Sequence, residues 1–243
     1  MKLKITFLFL IVNSFLFSQT IKKDSLKTFN YKSLIIPSAL ITYGVIGIES
    51  DQIKDFNFEI KEEINENIDE KITIDDFSQY APAAAVYALN LSGIKGKHNF
   101  KDRTIILATS YLLVAATTLP LKNITAIQRP DGSSYNSFPS GHTATAFAGA
   151  EFLWQEYKDV SVWYGISGYL VAAGTGAFRM YNDRHWLTDV VAGAGIGILC
   201  TKTAYWLHPK LQNLLFKNKT NNSFLVAPFY NGKQLGFGFV GRF

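Results

Sequence analysis

The stretch Pro139-Ser140-Gly141-His142-Thr143-Ala144-Thr145-Ala146-Phe147-Ala148 decides how this chain folds. Pro139 cannot extend a helix behind it, Ser140 is a strong N-cap, and Gly141 leaves the neighbouring amides unobstructed. The residues after it are small and mostly apolar, with no strand-like alternation, so a helix begins here. Its first turn presents unpaired N–H groups and the positive end of the helix dipole, a setting that favours an anion.

Working outward, apolar segments fall at about 33–48, 77–94, 104–121, 143–157, 160–178 and 187–207. Several are rich in small residues, as in Ala83-Ala84-Ala85, Gly174 and Gly176, and Gly193, Gly195 and Gly197. Small side chains let helices approach closely, most of all in lipid. The pattern predicts an all-α bundle of six helices, embedded in a membrane. Charged residues make up only 18% of the 243, below the usual quarter of a soluble protein. Mean hydropathy is a modest +0.08, which leaves the membrane question open on composition alone. A single cysteine, Cys200, excludes an internal disulfide and a cysteine zinc cage, and its apolar surroundings make it a small buried hydrophobe.

The ends differ from this core. Residues 1–19 carry Lys2 and Lys4 before an apolar run, Ile5 to Phe17, which is short for a bilayer span and suits a secretory signal. A retained anchor is the alternative. Residues 49–76 hold 11 of the 19 acids and three lysines, so the rest of the chain is strongly basic. Within that stretch Ile53, Phe56, Ile60, Ile64 and Ile68 recur at helical spacing and predict an amphipathic helix, on the bundle or the membrane surface, with a solvated acidic face. Ser223 to Phe243 contains two apolar runs around Asn231-Gly232, a hairpin signal. Its terminal Phe243 is reminiscent of a barrel strand, but one hairpin cannot close a barrel. The expected organisation is a signal at 1–19, an amino-terminal helix and acidic segment at 20–76, the catalytic bundle at 77–210, and a tail with the hairpin at 211–243.

Net charge is +5, yet no Lys/Arg stripe with interleaved aromatics appears, so nucleic acid is not an expected partner. Basic loops beside apolar segments fit a membrane. The most basic short loop, Lys95 to Arg103, belongs in the cytoplasm by the positive-inside rule, and the helix after it would then emerge in the periplasm. A cleaved signal and two full spans would instead return that loop to the outside.

Two further clusters flank the first: Lys122–Arg129–Pro130, spaced Lys-x6-Arg-Pro, and Arg179–His185–Asp189, spaced Arg-x5-His-x3-Asp. Together the three supply what phosphoryl transfer needs. Cations can hold phosphate oxygens, arginine as a bidentate fork and lysine as a point charge. A histidine backed by a carboxylate four residues on can attack, if the segment is helical and the two share a face. No metal-ligand spacing stands out.

These motifs, in this order, resemble the type 2 phosphatidic acid phosphatase (PAP2) superfamily of lipid phosphatases, acid phosphatases and vanadium haloperoxidases. The resemblance covers roughly residues 76–207. It implies that His185 is the nucleophile and forms a phosphohistidine, that Asp189 orients it, and that His142 protonates the leaving group. It implies that Lys122, Arg129, Ser140, Gly141 and Arg179 hold the phosphate, with no metal and no cofactor. Phe178 stands where the family has a serine before the arginine, which alters one phosphate contact. His98 and His208 fall outside the motifs and are expected at solvent or an interface. Asp131, Asp183 and Arg184 receive no role.

The function implied is hydrolysis of a phosphate or diphosphate ester of a membrane lipid: lipid A, a phosphatidate-type lipid or polyprenyl diphosphate. The site would face the periplasm from the inner membrane, with periplasmic or outer-membrane association as alternatives and no obligate protein partner. The competing readings are a soluble periplasmic acid phosphatase, a vanadium haloperoxidase and an inactive membrane scaffold.

Overall fold

Helix-starting side chains mark the main elements. The computed structural model describes residues 31–66, 73–216, 223–230 and 235–242. The expected signal, Ile68, the Asn231-Gly232 turn and Phe243 lie outside the described residues. A single 3-10 turn, Tyr31–Leu34, leads into α1, Ile35–Ile46. Then come α2 (Asp51–Asn65), α3 (Asp75–Ser78), α4 (Ala81–Leu91), α5 (Phe100–Thr125), α6 (Gly141–Tyr157), α7 (Val162–Tyr181) and α8 (Leu187–Phe216). Asn99, Ser140 and Ser161 cap α5, α6 and α7, each accepting a backbone N–H of the first turn with its side chain. Ala126, in the left-handed region at φ 47°, ends α5.

The fold is all-α in its core, but the described residues hold eight α-helices rather than six. The two extra ones are α2 and the one-turn α3, both in the acidic stretch. The spacing of Ile53, Phe56, Ile60 and Ile64 predicts α2 as an amphipathic helix outside the six apolar segments, and the four residues of α3 are too few to show a period.

α6 is the centre. It is buried along most of its length, from Thr143 to Tyr157. Alanines on several sides of it let neighbours pack closely: Ala144 and Ala148 meet Val114 and Ile196, while Ala146 and Ala150 meet Ala172. Its two buried acids are paired. Glu151 accepts from Lys202 Nζ at 2.7 Å, and from Tyr169 and Gln155. Glu156 accepts from Tyr205 at 2.7 Å and bonds His98 Nδ1 at 2.7 Å. Pairing of this kind is what makes a buried carboxylate tolerable. His98 is therefore part of a partly buried polar network rather than a solvent-facing histidine.

α8 packs backbone to backbone. A Cβ on Gly193 would lie 2.6 Å from the Ser140 carbonyl oxygen, and one on Gly197 2.2 Å from that of Ala144. A Cβ on Gly195 would lie 2.7 Å from the Pro37 oxygen of α1. Gly193 and Gly197 seat α8 against the start of α6, where the candidate site lies, and Gly195 seats it against α1.

α5 and α8 are long and apolar enough to cross a membrane. α1 and α2 would form a third span only as one unit bent by 94°. The chain is a membrane protein by these helices. Residues from Leu207 onward form a second compact unit. In it, strand β1 (Ser223–Tyr230) pairs antiparallel with β2 (Leu235–Arg242), Ser223 opposite Arg242 and Tyr230 opposite Leu235.

Candidate active site

The loop between α5 and α6 is tied to the C-terminal end of α5. Lys122 donates from Nζ to the carbonyl oxygens of Asn136 and Ser137, at 2.6 and 3.3 Å. Arg129 donates from Nε to Asn136 Oδ1 at 2.9 Å, and Ser134 donates to the same oxygen. One loop residue thus joins both cations of the first cluster. The Phe138–Pro139 peptide is cis.

Ser137 then reaches the third cluster. Its hydroxyl donates to Asp189 Oδ2 at 2.5 Å. That oxygen also accepts from the Trp186 backbone N–H at 2.9 Å and faces His185 Nδ1 at 3.4 Å. Ser137 Oγ is 3.4 Å from the same ring nitrogen. With Nδ1 protonated and shared by these two oxygens, Nε2 keeps its lone pair for attack. The expected helical His185–Asp189 face is corrected here. α8 starts at Leu187, so His185 precedes it. Asp189 sits in the first turn, where its carboxylate caps the Trp186 N–H and gains from the helix dipole.

His185 is 3% exposed. Burial, outweighing the opposing pull of Asp189, pushes its pKa down to about 4, and the charges of Lys122 and Arg179 add to the depression. The ring is then neutral at physiological pH, the form in which an imidazole nitrogen has a lone pair to offer.

Ser140 caps α6 and its own backbone N–H donates to the Asp189 carbonyl at 3.0 Å, joining the second cluster to the third. Ser140 is fully buried and its Oγ lies 2.8 Å from Thr143 Oγ1. A Cβ on Gly141 would meet only Lys122 Cε, at 4.0 Å, so the amides there stay open toward the lysine. His142 stands next along α6. Burial first, then the charge of Arg179, lowers its pKa below 6.5, against a raising contribution from Asp76.

Arg179 is buried near the end of α7 and bonds Asp75 through Nη1, with Asp76 Oδ1 at 3.7 Å. Asn182 Nδ2 donates to the other Asp75 oxygen at 3.0 Å. The Arg179 carbonyl accepts the backbone N–H groups of Arg184 and His185, at 3.0 and 3.3 Å, which ties α7 to the His185 loop. Phe178 packs edge-on against Tyr181, with ring centroids 6.0 Å apart, and gives no hydroxyl to a phosphate. Arg184 pairs with Asp131 at 3.1 Å.

All eight candidate residues therefore gather at one end of the bundle, linked by short polar contacts. Sequence reasoning missed four more. Ser137 and Asn136 sit beside the first motif without being part of it. Asp75 and Asp76 lie in the acidic stretch that reads as a solvated face. Their signal, two adjacent acids just before an apolar helix, is indistinguishable in sequence from the nine acids around them. α2 also reaches the site: Lys61 Nζ donates to the Pro130 carbonyl at 2.9 Å, and Asn57 Nδ2 donates to Thr188 Oγ1 at 3.1 Å.

The chain is similar to several known proteins. The chain is 32% identical over 211 residues to a lipid A 1-phosphatase of Porphyromonas gingivalis, covering 86% of this chain and 44% of that protein. Over 76 residues it is 33% identical to the bacitracin transport permease protein BcrC of Bacillus licheniformis, covering 31% of this chain and 36% of that protein. The chain spans less than half the length of these curated relatives. Among solved structures, Aquifex aeolicus LpxE aligns with a TM-score of 0.49 at 24% identity, over 62% of this chain and 94% of that one. A Bacillus subtilis PAP2-type phosphatidylglycerolphosphate phosphatase aligns with a TM-score of 0.47 at 20% identity, over 72% and 97%. The family model of the PAP2 superfamily matches residues 103–213, a span holding every motif residue from Lys122 to Asp189.

Proposed function

We propose that this protein hydrolyses the phosphate ester of a membrane lipid through a phosphohistidine, without a metal. The observation that carries the reading is the buried Ser137–Asp189–His185 array, in which a neutral imidazole is held by one nitrogen within the field of Lys122 and Arg179. His185 Nε2 attacks phosphorus and the ester P–O bond breaks. The protonated His142 gives its proton to the departing alkoxide. Water then attacks the phosphohistidine, and neutral His142 takes a proton from it. The P–N bond breaks, phosphate leaves and both histidines return to their starting states. Lys122, Arg129 and Arg179 supply the positive charge that a metal supplies in other phosphatases, and fixed charge of this kind is usually the largest catalytic contribution.

Two apolar helices long enough to cross a bilayer, one carrying Lys122 in its last turn and the other beginning beside His185, support a lipid substrate. The lipid A 1-phosphatase relative makes lipid A the first substrate to try. Lys95, Lys97 and Lys101 precede or open α5, whereas Lys122 lies near its far end. At 1.5 Å per residue the two ends of α5 are roughly 39 Å apart, about one membrane. Basic residues at the cytoplasmic end then favour a site facing the periplasm. The test is phosphate release by purified protein from lipid A, phosphatidate and polyprenyl diphosphate. Wild type releases phosphate from at least one and His185→Ala releases none while keeping its thermal unfolding profile. Near-normal turnover by that variant refutes the mechanism.

A further inference from the structure

The acidic pair on α3 has a place in this chemistry that the family motifs do not provide. α3 is anchored by Asp75, which is 1% exposed and binds Arg179 and Asn182. Ser78 adds a hydroxyl contact of 2.8 Å with Thr175 of α7, and Gln79 Nε2 donates to the Asp76 carbonyl at 2.8 Å. The neighbouring Asp76 is thereby fixed over α6, with Oδ1 3.0 Å from His142 Nε2. Its side chain is 53% exposed, so it serves no packing need.

We propose that Asp76 is a positioning residue for the general acid: it holds His142 through Nε2, favours the imidazolium, and leaves Nδ1 to deliver the proton to the leaving alkoxide. The inference rests on the phosphatase reading above. Each of the two histidines then has its own carboxylate, Asp189 for the nucleophile and Asp76 for the acid. In the forward step the Nδ1 proton passes to the alkoxide and the Nε2–H stays on Asp76. In the second step a proton from water returns to Nδ1. The charged groups facing His142 are Asp75 and Asp76 from α3 and Arg179 from α7, with Lys122 of α5 beside Gly141. Arg179 opposes the imidazolium, and burial opposes it more. Asp76 is the group in hydrogen-bond contact that works against both. A phosphate on Arg179 would remove part of that opposition at the moment the acid is needed.

Leaving-group chemistry tests this. An alkyl ester needs a proton on its departing oxygen, whereas a nitrophenyl ester leaves unaided. Asp76→Asn and Asp76→Ala should lose roughly 10- to 100-fold in kcat on phosphatidate, a fraction of what general acid catalysis supplies, and little on para-nitrophenyl phosphate. Asp76→Glu should recover part of the loss. Independently of turnover, the His142 resonance in histidine-labelled protein, assigned with His142→Gln, should titrate at lower pH in Asp76→Asn. Equal losses on both esters, or no loss on phosphatidate, overturn the role. An unmoved His142 titration overturns the pairing. A wild type inactive on these two esters and also on lipid A and polyprenyl diphosphate overturns the phosphatase reading, and the titration still decides whether Asp76 holds His142.

Discussion

Ser137→Ala separates a positioning network from a phosphate-binding one. The hydroxyl is fully buried and donates to Asp189 Oδ2 at 2.5 Å, the shortest of the contacts made by that oxygen. Asp189 is itself 1% exposed, so no water replaces the lost donor readily. Hydrogen bonds to a buried charge contribute about 1.5–3 kcal/mol. At about 1.4 kcal/mol per tenfold, the expected loss in kcat is about 10- to 150-fold. The effect falls on kcat because Ser137 contacts the carboxylate and the His185 ring. KM should stay within about threefold, since uniform binding is untouched. Stability should fall by a similar 1.5–3 kcal/mol. The assay is steady-state phosphate release from a lipid phosphate in detergent, paired with thermal unfolding of the same sample. A variant with unchanged kcat and a lowered melting temperature would show that Ser137 holds the loop and not the nucleophile. A rise in KM matching the fall in kcat would place the hydroxyl on the phosphate and refute the reasoning.

The pH profile should be acid. His185 attacks only when neutral, so kcat/KM falls as pH drops through about 4, and His142 donates only when protonated, so it falls again as pH rises through a value below 6.5. A rate that keeps climbing above pH 6.5 would reverse the two roles. Gly197→Ala should destabilise the protein by about 1–3 kcal/mol, because the new methyl would stand 2.2 Å from the Ala144 carbonyl. Gly174→Ala meets nothing within 4 Å and should stabilise α7 by about 0.5–1 kcal/mol. Thermal unfolding of the two variants checks the contrast, and like effects would remove the close α6–α8 approach as its cause.

The candidate site residues stand out in the sequence where a motif fixes their spacing. Ser-Gly-His at a helix start, Lys-x6-Arg-Pro and Arg-x5-His-x3-Asp each constrain one chain segment, and a single segment is what sequence displays. The apolar helices were legible for the same reason, although α5 begins four residues earlier and ends four later than its apolar stretch. Polar caps, Asn99 and the left-handed Ala126, set those ends. What stayed hidden is contact across the chain. Asp75 reaches Arg179 over 104 positions and Asp76 reaches His142 over 66. His98 finds Glu156 over 58. No local pattern predicts such pairs. His185 and Asp189 were visible as a pair, but their four-residue spacing suggested a helical face. The helix starts two residues later than that geometry requires, and a cap at Trp186 achieves the contact instead.

The distribution of partners among the cations explains how an anion would choose its position. Arg179 and Arg184 each have a carboxylate within ion-pair distance, Asp75 and Asp131. Lys122 and Arg129 bond backbone carbonyls and an asparagine, and among the described residues no carboxylate lies within 4.0 Å of either. A phosphate approaching Arg179 must compete with a buried acid. One approaching Lys122 and Arg129 meets charge offset only by neutral oxygens, so most of the attraction lies there. The same two side chains grip Asn136, whose neighbour Ser137 holds Asp189. On the proposed mechanism, the groups that would draw the phosphate in are therefore one residue removed from the group that aims His185. That coupling would turn binding into alignment, a way to gain rate from an unreactive ester.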